Sequence, residues 1–432
     1  MASKQHKPKK NPGGGGATPQ PGQTFPTGDP HFGEPKPTPD PTSYVDQKSD
    51  VQYYNFVNRH LLQPVPPPRD PTNVVLTLAQ ALGTTGAAQV ARIAKSGKVV
   101  FHCAGDTGPV NGPGKGPLTL NDVVDKMVAD FQEANPADVP SFFYHLGDVI
   151  YSFGEAEYYY DQFYAPYRDY NAPIFAIPGN HDGVTYKGDP AASLEAFLRT
   201  FCAPAFQKTP ESGSLWRTSM IQPGVFFTLD APFVRILGLY SNVLEDPGVI
   251  SSQGTKGSPV DDKQLQFLND ELSRIKKEKY TGAVLLAVHH PPFTGGAVHG
   301  GSPLMSLDMD NAFKATGVYP HAVLSGHAHN YQRYTRVLAD GSQTPYIVAG
   351  SGGHGISPLS KGSGGAVRTP VAVNKQLTFE QYFAELGYLR IVVTAAFLSI
   401  EFHSAAAGTA SKTPVDVVTV DLKQRKLTAQ RP

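Results

Sequence analysis

Five times in this chain a short apolar run, of the kind that builds a buried strand, ends on Asp, Asn or His with glycine close by. The runs are Val99 to Phe101 before Asp106, Phe142 to Tyr144 before Asp148, Ile174 to Ile177 before Asn180, Val284 to Val288 before His289, and Ala322 to Leu324 before His327 and His329. In open α/β sheets ligands gather at the carboxyl ends of strands, so residues this far apart in sequence converge on one crevice. Helical patterns alternate with the runs. Leu118 to Ala134 carries a stripe of Val123, Val124, Met127, Val128 and Phe131, and Asp262 to Lys277 one of Leu265, Leu268, Leu272 and Ile275. Strand and helix in alternation predict a doubly wound α/β core.

Around that core the chain divides unevenly. Residues 1–70 are rich in Pro, Gly, Lys and Gln, including Gly13 to Gly16 and Pro66 to Pro68, and predict a disordered or loosely docked tail. Within it, Tyr53 to Leu62 has apolar residues at near-helical spacing and is expected to dock. Residues 71–97 read as a helical lead-in broken near Gly83 to Gly86, and 98–432 as the main domain. After His329 the strands Tyr346 to Ala349, Tyr388 to Thr394, Phe397 to Phe402 and Val415 to Leu422 follow one another without helices between them. They are expected to complete a second sheet, 388–432 closing it. Gly350 to Gly365 is long and glycine-rich, either a mobile loop over the site or a surface insertion.

Composition removes several function classes. Lys plus Arg and Asp plus Glu both number 37, for zero formal charge, and no basic block lies among aromatics in the folded part, so nucleic acid is not expected as a partner. No apolar run approaches the ~18 residues of a spanning helix, and no export signal is visible, which by default predicts a cytoplasmic protein without a membrane partner. Oligomeric state is not legible. Two cysteines, Cys103 and Cys202, make no disulfide framework, and Cys103 lies in a core strand as an inert thiol.

The strand-end residues form a mixed oxygen and imidazole set, which suits Zn, Mn or Fe rather than a thiolate site. Six donors are too many for one ion. A carboxylate bridging two ions is the economical arrangement, and two ions roughly 3.5–4 Å apart clamp both oxygens of a phosphoryl displacement.

In this form the set resembles the calcineurin-like metallophosphoesterases, and among them the purple acid phosphatases. Gly105-Asp106-Thr107-Gly108, Gly147-Asp148-Val149-Ile150-Tyr151, Gly179-Asn180-His181-Asp182, Val288-His289-His290-Pro291 and Gly326-His327-Ala328-His329 stand in the family's order. Most of the family has His two residues after the first Asp. Here Gly108 stands there and Tyr151 follows Asp148 by three, the purple acid phosphatase pattern. The resemblance implies a four-layer α/β/β/α sandwich. It also implies one ion held by Asp106, Tyr151, His329 and the bridging Asp148, with iron favoured by the phenolate, and a second held by Asp148, Asn180, His289 and His327, taking Fe, Mn or Zn. For Tyr151 the competing reading is a ring that covers the core.

The implied reaction is hydrolysis of a small phosphate monoester by a metal-bound hydroxide, without a phosphoenzyme. The resemblance makes His181 the residue that contacts the phosphoryl group and helps the leaving group depart. His299 stands near a second substrate-side histidine of the family, with a solvated loop histidine as the alternative. Asp182 is expected to orient His181 or a ligand, His290 to sit behind the ligands, and His354 to be a plain loop residue, the alternative being that it reaches the cleft from the glycine-rich loop. Two further functions stay open: a phosphodiesterase of cyclic nucleotides or phospholipids, and a scaffold that holds metal or phosphate without turnover.

Overall fold

A computed structural model describes residues 61–108, 119–151, 153–185, 191–295, 299–357, 359 and 369–429. Its centre is two sheets. The larger runs β1 (Val75–Thr77), β5 (Phe227–Ala231), β6 (Val234–Leu239), β7 (Ala283–Val288), β8 (Ala322–Ser325), β10 (Gln343–Ala349), β9 (Tyr331–Val337), β12 (Leu377–Phe383) and β11 (Val371–Ala372). The smaller runs β16 (Lys426–Thr428), β15 (Asp416–Asp421), β14 (Phe397–Ser404), β13 (Gly387–Thr394), β2 (Lys98–Ala104), β3 (Phe143–His145) and β4 (Ile174–Ala176). The ligand-bearing strands pair in parallel within each sheet, β2 with β3 with β4 and β7 with β8. Covered on both faces, they read as unbroken apolar runs, and every residue of β7 is buried.

The sheets stack face to face. Tyr144 of β3 lies against Phe227 of β5 with ring centroids 6.3 Å apart, and Tyr331 of β9 stacks on Phe402 of β14 at 4.2 Å. Helices cover the outer faces: α2 (Gly86–Ser96) and α3 (Leu120–Ala129) on the smaller sheet, α6 (Lys263–Lys277) and α7 (Pro303–Thr316) on the larger. Three shorter helices, α1 (Leu78–Ala81), α4 (Asn180–Gly183) and α5 (Glu195–Phe201), fill connections. The result is the four-layer α/β/β/α sandwich. In α3 the stripe Leu120, Val123, Val124 and Met127 is buried, and Asp122 closes the first turn by accepting from Thr119 N at 2.7 Å.

Three expectations change. Instead of one doubly wound core, the ligand strands are divided between the sheets, so the crevice lies where two sheets meet. Tyr346 to Ala349 belongs to β10, beside β8, and not to the sheet of Tyr388 to Thr394. The helical lead-in also contains a strand, β1, which pairs with β5 before Thr77 caps α1. Of the predicted docking segment Tyr53 to Leu62, residues 53–60 lie outside the described residues, as do residues 358 and 360–365 of the glycine-rich loop. Residues 61–70 are strapped to the domain. Leu62 packs with Leu244, Val249 and Val260, Gln63 N donates to Asn242 Oδ1 at 3.0 Å, and Arg69 N donates to Pro223 O at 2.9 Å.

Candidate metal centre

Backbone hydrogen bonds pin the two sheets together where the ligand strands end. Gly105 N donates to Ala349 O at 2.9 Å, Gly352 N to Gly105 O at 3.0 Å, and His289 Nδ1 to Leu146 O at 2.8 Å. Past the strands the chain turns sharply: Asp106, Asp148 and His327 have φ of 58°, 54° and 65°, in the left-handed region that non-glycine residues seldom occupy. Strain of this kind persists where the surroundings over-determine it, and it clusters at functional sites. Gly147, with φ of 99°, lets the neighbouring turn approach; a Cβ there would lie 2.6 Å from Gly179 N.

All seven sequence-predicted donors meet in the crevice. Tyr151 Oη lies 3.1 Å from Asp106 Oδ1, 3.1 Å from Asp148 Oδ2 and 3.3 Å from His329 Nε2. His329 Nε2 is 3.5 Å from Asp106 Oδ1. Opposite them, Asn180 Oδ1 lies 3.1 Å from both His289 Nε2 and His327 Nδ1, and His289 Nε2 is 3.2 Å from Asp148 Oδ2. Donors around an ion with bonds of ~2.1 Å lie roughly 3–3.5 Å apart, so each group suits one cation. Asp148, His289 and His327 could hold an ion by their spacing, and all three are buried. Oxygen and imidazole donors without thiolate fit Zn, Mn or Fe.

The charges around these donors are tightly coupled. Burial raises the Asp148 carboxyl, but His289 and His181 outweigh it and hold it well below the usual carboxylate range. Burial opposes protonation of His289, yet Asp148 and Asp106 push it up to about 9. His327 is driven well below its usual range by burial and by His290 and His299, so it stays a neutral imidazole.

Residues outside the donor set are placed as follows. His181 N donates to Asp148 Oδ1 at 2.9 Å, and its ring centroid lies 4.4 Å from that of Tyr151. His299 is no solvated loop residue: it is buried, its centroid 4.2 Å from His327 and 5.3 Å from His329. Asp182 braces the turn after Asp148, accepting from Gly179 N, Val149 N and Ile150 N at 2.8–3.1 Å. Burial, then the neighbouring Asp148, push its carboxyl up to about 7. His290 hydrogen-bonds Ser241 Oγ at 2.7 Å and Leu244 O at 2.6 Å, behind the ligands.

The calcineurin-like phosphoesterase family matches residues 100–331, more than half of the chain and all seven donors. The chain belongs to the calcineurin-like phosphoesterases. The chain is similar in structure to a purple acid phosphatase from yellow lupin (Lupinus luteus) seeds, with 15% identity and a TM-score of 0.51, covering 75% of this chain and 54% of that one. It thus spans about half the length of the lupin chain. A dimetal phosphatase from Danio rerio matches at 11% identity and a TM-score of 0.44, over 75% of this chain and 99% of that one. The anchor in the inner membrane complex of Plasmodium matches at 14% and 0.48, over 77% and 90%. No curated protein matches the sequence. Among the described residues no helix is long and apolar enough to cross a membrane.

Three residues stand in the crevice beyond those the sequence reading placed there. His354 was expected to be a plain loop residue. It stacks on Tyr151 with centroids 3.5 Å apart and planes 15° apart, and its Nδ1 donates to Gly108 O at 2.7 Å. Glu245 Oε2 accepts from Asn180 Nδ2 at 2.8 Å and lies 4.0 Å from His181 Nε2. Asp246 Oδ1 faces His327 Nε2 at 3.4 Å. The last two follow β6, another apolar run of the larger sheet, but six and seven residues beyond its end. A search for carboxylates further along each connection would have found them.

Proposed function

We propose that this chain hydrolyses small phosphate monoesters at a binuclear centre. Asp106, Tyr151, His329 and Asp148 hold one ion, and Asp148, Asn180, His289 and His327 the other. One observation carries the reading: a single oxygen, Asp148 Oδ2, lies 3.1 Å from Tyr151 Oη and 3.2 Å from His289 Nε2, between the two donor groups. When bound, two such ions clamp the attacking and leaving oxygens and lower the pKa of a coordinated water toward ~7. A phenolate donor favours trivalent iron at the Tyr151 position, with Fe, Mn or Zn at the other.

The chain's own groups supply the rest. His181, beside Tyr151, stands where it can hold the proton that a leaving alkoxide needs. His299, packed over His327 and His329, offers a second imidazole to the phosphoryl oxygens. Burial of both rings keeps bulk water from the reacting atoms and strengthens every polar contact there.

The test is the visible spectrum of iron-supplied protein beside Tyr151→Phe, with turnover of p-nitrophenyl phosphate and of its bis-ester. The expected result is a charge-transfer band lost in the variant, faster turnover of the monoester, and a drop of roughly 10²-fold or more in His181→Ala. Faster turnover of the bis-ester moves the assignment to a phosphodiesterase. Full metal loading without turnover of either ester makes the protein a metal-holding scaffold.

A further inference from the structure

Glu245 and Asp246 stand side by side in the connection after β6, and each faces a different donor of the same ion. Glu245 Oε2 accepts from Asn180 Nδ2 at 2.8 Å, and Asp246 Oδ1 lies 3.4 Å from His327 Nε2. Asn180 and His327 in turn present Oδ1 and Nδ1 to each other at 3.1 Å. A cation takes the oxygen of an amide, and a carboxylate that accepts from Nδ2 holds the amide with that oxygen turned toward the site. An imidazole that ligates through Nδ1 carries its proton on Nε2. At His327 that nitrogen is buried and makes no hydrogen bond among the described residues, and the carboxylate oxygen of Asp246 faces it.

The connection is itself held. Gly300 N donates to Asp246 Oδ2 at 2.9 Å, Gly248 N donates to Ser302 Oγ at 2.8 Å, and Leu244 and Val249 pack on Leu62. Neither carboxylate is therefore a loose surface charge. We propose that Glu245 and Asp246 are a positioning pair that fixes the amide orientation of Asn180 and the tautomer of His327. The pair thereby sets the affinity of the second ion and leaves the Tyr151 ion unaffected.

This inference rests on the binuclear reading, so the test counts ions rather than turnover. Metal-free protein is titrated with Zn²⁺ against a competing chelator, and bound zinc is counted, in wild type, Glu245→Ala, Glu245→Gln, Asp246→Ala and Asp246→Asn. Two ions are expected in wild type. In each alanine variant one ion keeps its wild-type affinity and the other weakens ~10–100-fold. Glu245→Gln, whose amide oxygen still accepts from Asn180, recovers most of the loss. A purely structural role would lower the melting temperature of the metal-free variants and affect both ions alike, and that result overturns the inference. Asp246→Asn, whose amide oxygen still accepts from His327, recovers as Glu245→Gln does, and if an alanine variant does not fold, the same comparison in Glu245→Met or Asp246→Leu, which keep the volume and lose the acceptor, decides. A wild-type chain that takes up one ion overturns the binuclear reading and the inference with it. Two ions held with unchanged affinity in every variant overturn the inference alone. So does a third ion lost with Asp246, which would make that residue a ligand with His299 and His327, a group whose spacing also suits a cation.

Discussion

A Cβ on Gly108 would stand 2.3 Å from Gln162 Oε1 and 2.8 Å from the Tyr151 ring, so no side chain fits there while Tyr151 points at Asp106. Gln162 holds the tyrosine by its backbone, accepting from Tyr151 N at 2.9 Å and donating to Tyr151 O at 3.0 Å. The missing histidine and the added tyrosine are therefore one arrangement, in which the ring fills the space a side chain at 108 would need. Gly108→Ala is expected to cost about 1–3 kcal/mol by overpacking and to shift or weaken the charge-transfer band of the iron-loaded protein. An unchanged band and an unchanged urea midpoint would show that the ring has room to spare. Asp106, Asp148, Asn180, His289, His327 and His329 could be read from the apolar runs they follow, and Tyr151 from its place in the family's pattern. Glu245 and Asp246 lie further along their connection, and the part played by His354, like theirs, is set by chain path more than by local pattern.

At the scale of elements, the strap of residues 61–70 supports the connection that carries Glu245 and Asp246. Leu62 is 8% exposed and sits in a small cluster with Leu244, Val249 and Val260, apart from the main core. Leu62→Ala is expected to cost about 2–3 kcal/mol by equilibrium unfolding. A change within about 0.5 kcal/mol, the range of ordinary surface substitutions, would mean that the strap only rests on the surface. Helices α3 and α6 were legible, since a stripe at helical period has one reading over ten or more residues. Val75–Thr77 was not: so short a run, two apolar residues and a Thr, fits helix or strand equally. Pairing of Val75 with Thr228 and Leu76 with Leu229 decides it, from more than 150 residues away. Tyr346–Ala349 is a strand as expected, and its pairing with β8 and β9, which no local pattern specifies, puts it in the larger sheet.

Across the whole molecule, a buried polar knot ties α3, β2, β13 and the segment after β14. Asp130 accepts from Tyr388 Oη at 2.8 Å and from Lys412 Nζ at 2.6 Å, His102 Nε2 lies 3.0 Å from its carboxylate, and Tyr170 Oη reaches His102 Nδ1 at 3.1 Å. Burial raises the Asp130 carboxyl, but His102, Lys412 and Tyr388 outweigh it and hold it well below its usual 3.8. A carboxyl depressed on folding adds stability above about pH 4 that drains away as pH falls further. Asp130→Asn is therefore expected to lose about 3 kcal/mol at pH 7, with the gap to wild type narrowing toward pH 3. Urea unfolding at both pH values checks this, and a gap independent of pH would exclude the charge as its source.

By itself the sequence determined that the Asp, Asn and His residues stand just past strand ends, that strands and helices alternate ahead of an all-strand end, and that the chain belongs with the metallophosphoesterases. Those are local or ordered properties, written in periodicity and in residues that follow an apolar run within a few positions. Tertiary structure decided how the strands divide between two sheets and why Gly108 and Tyr151 go together. It also decided which carboxylates stand behind Asn180 and His327. Each of these depends on contacts between segments far apart in the chain, where packing and hydrogen-bond satisfaction are settled only when the sheets close on one another.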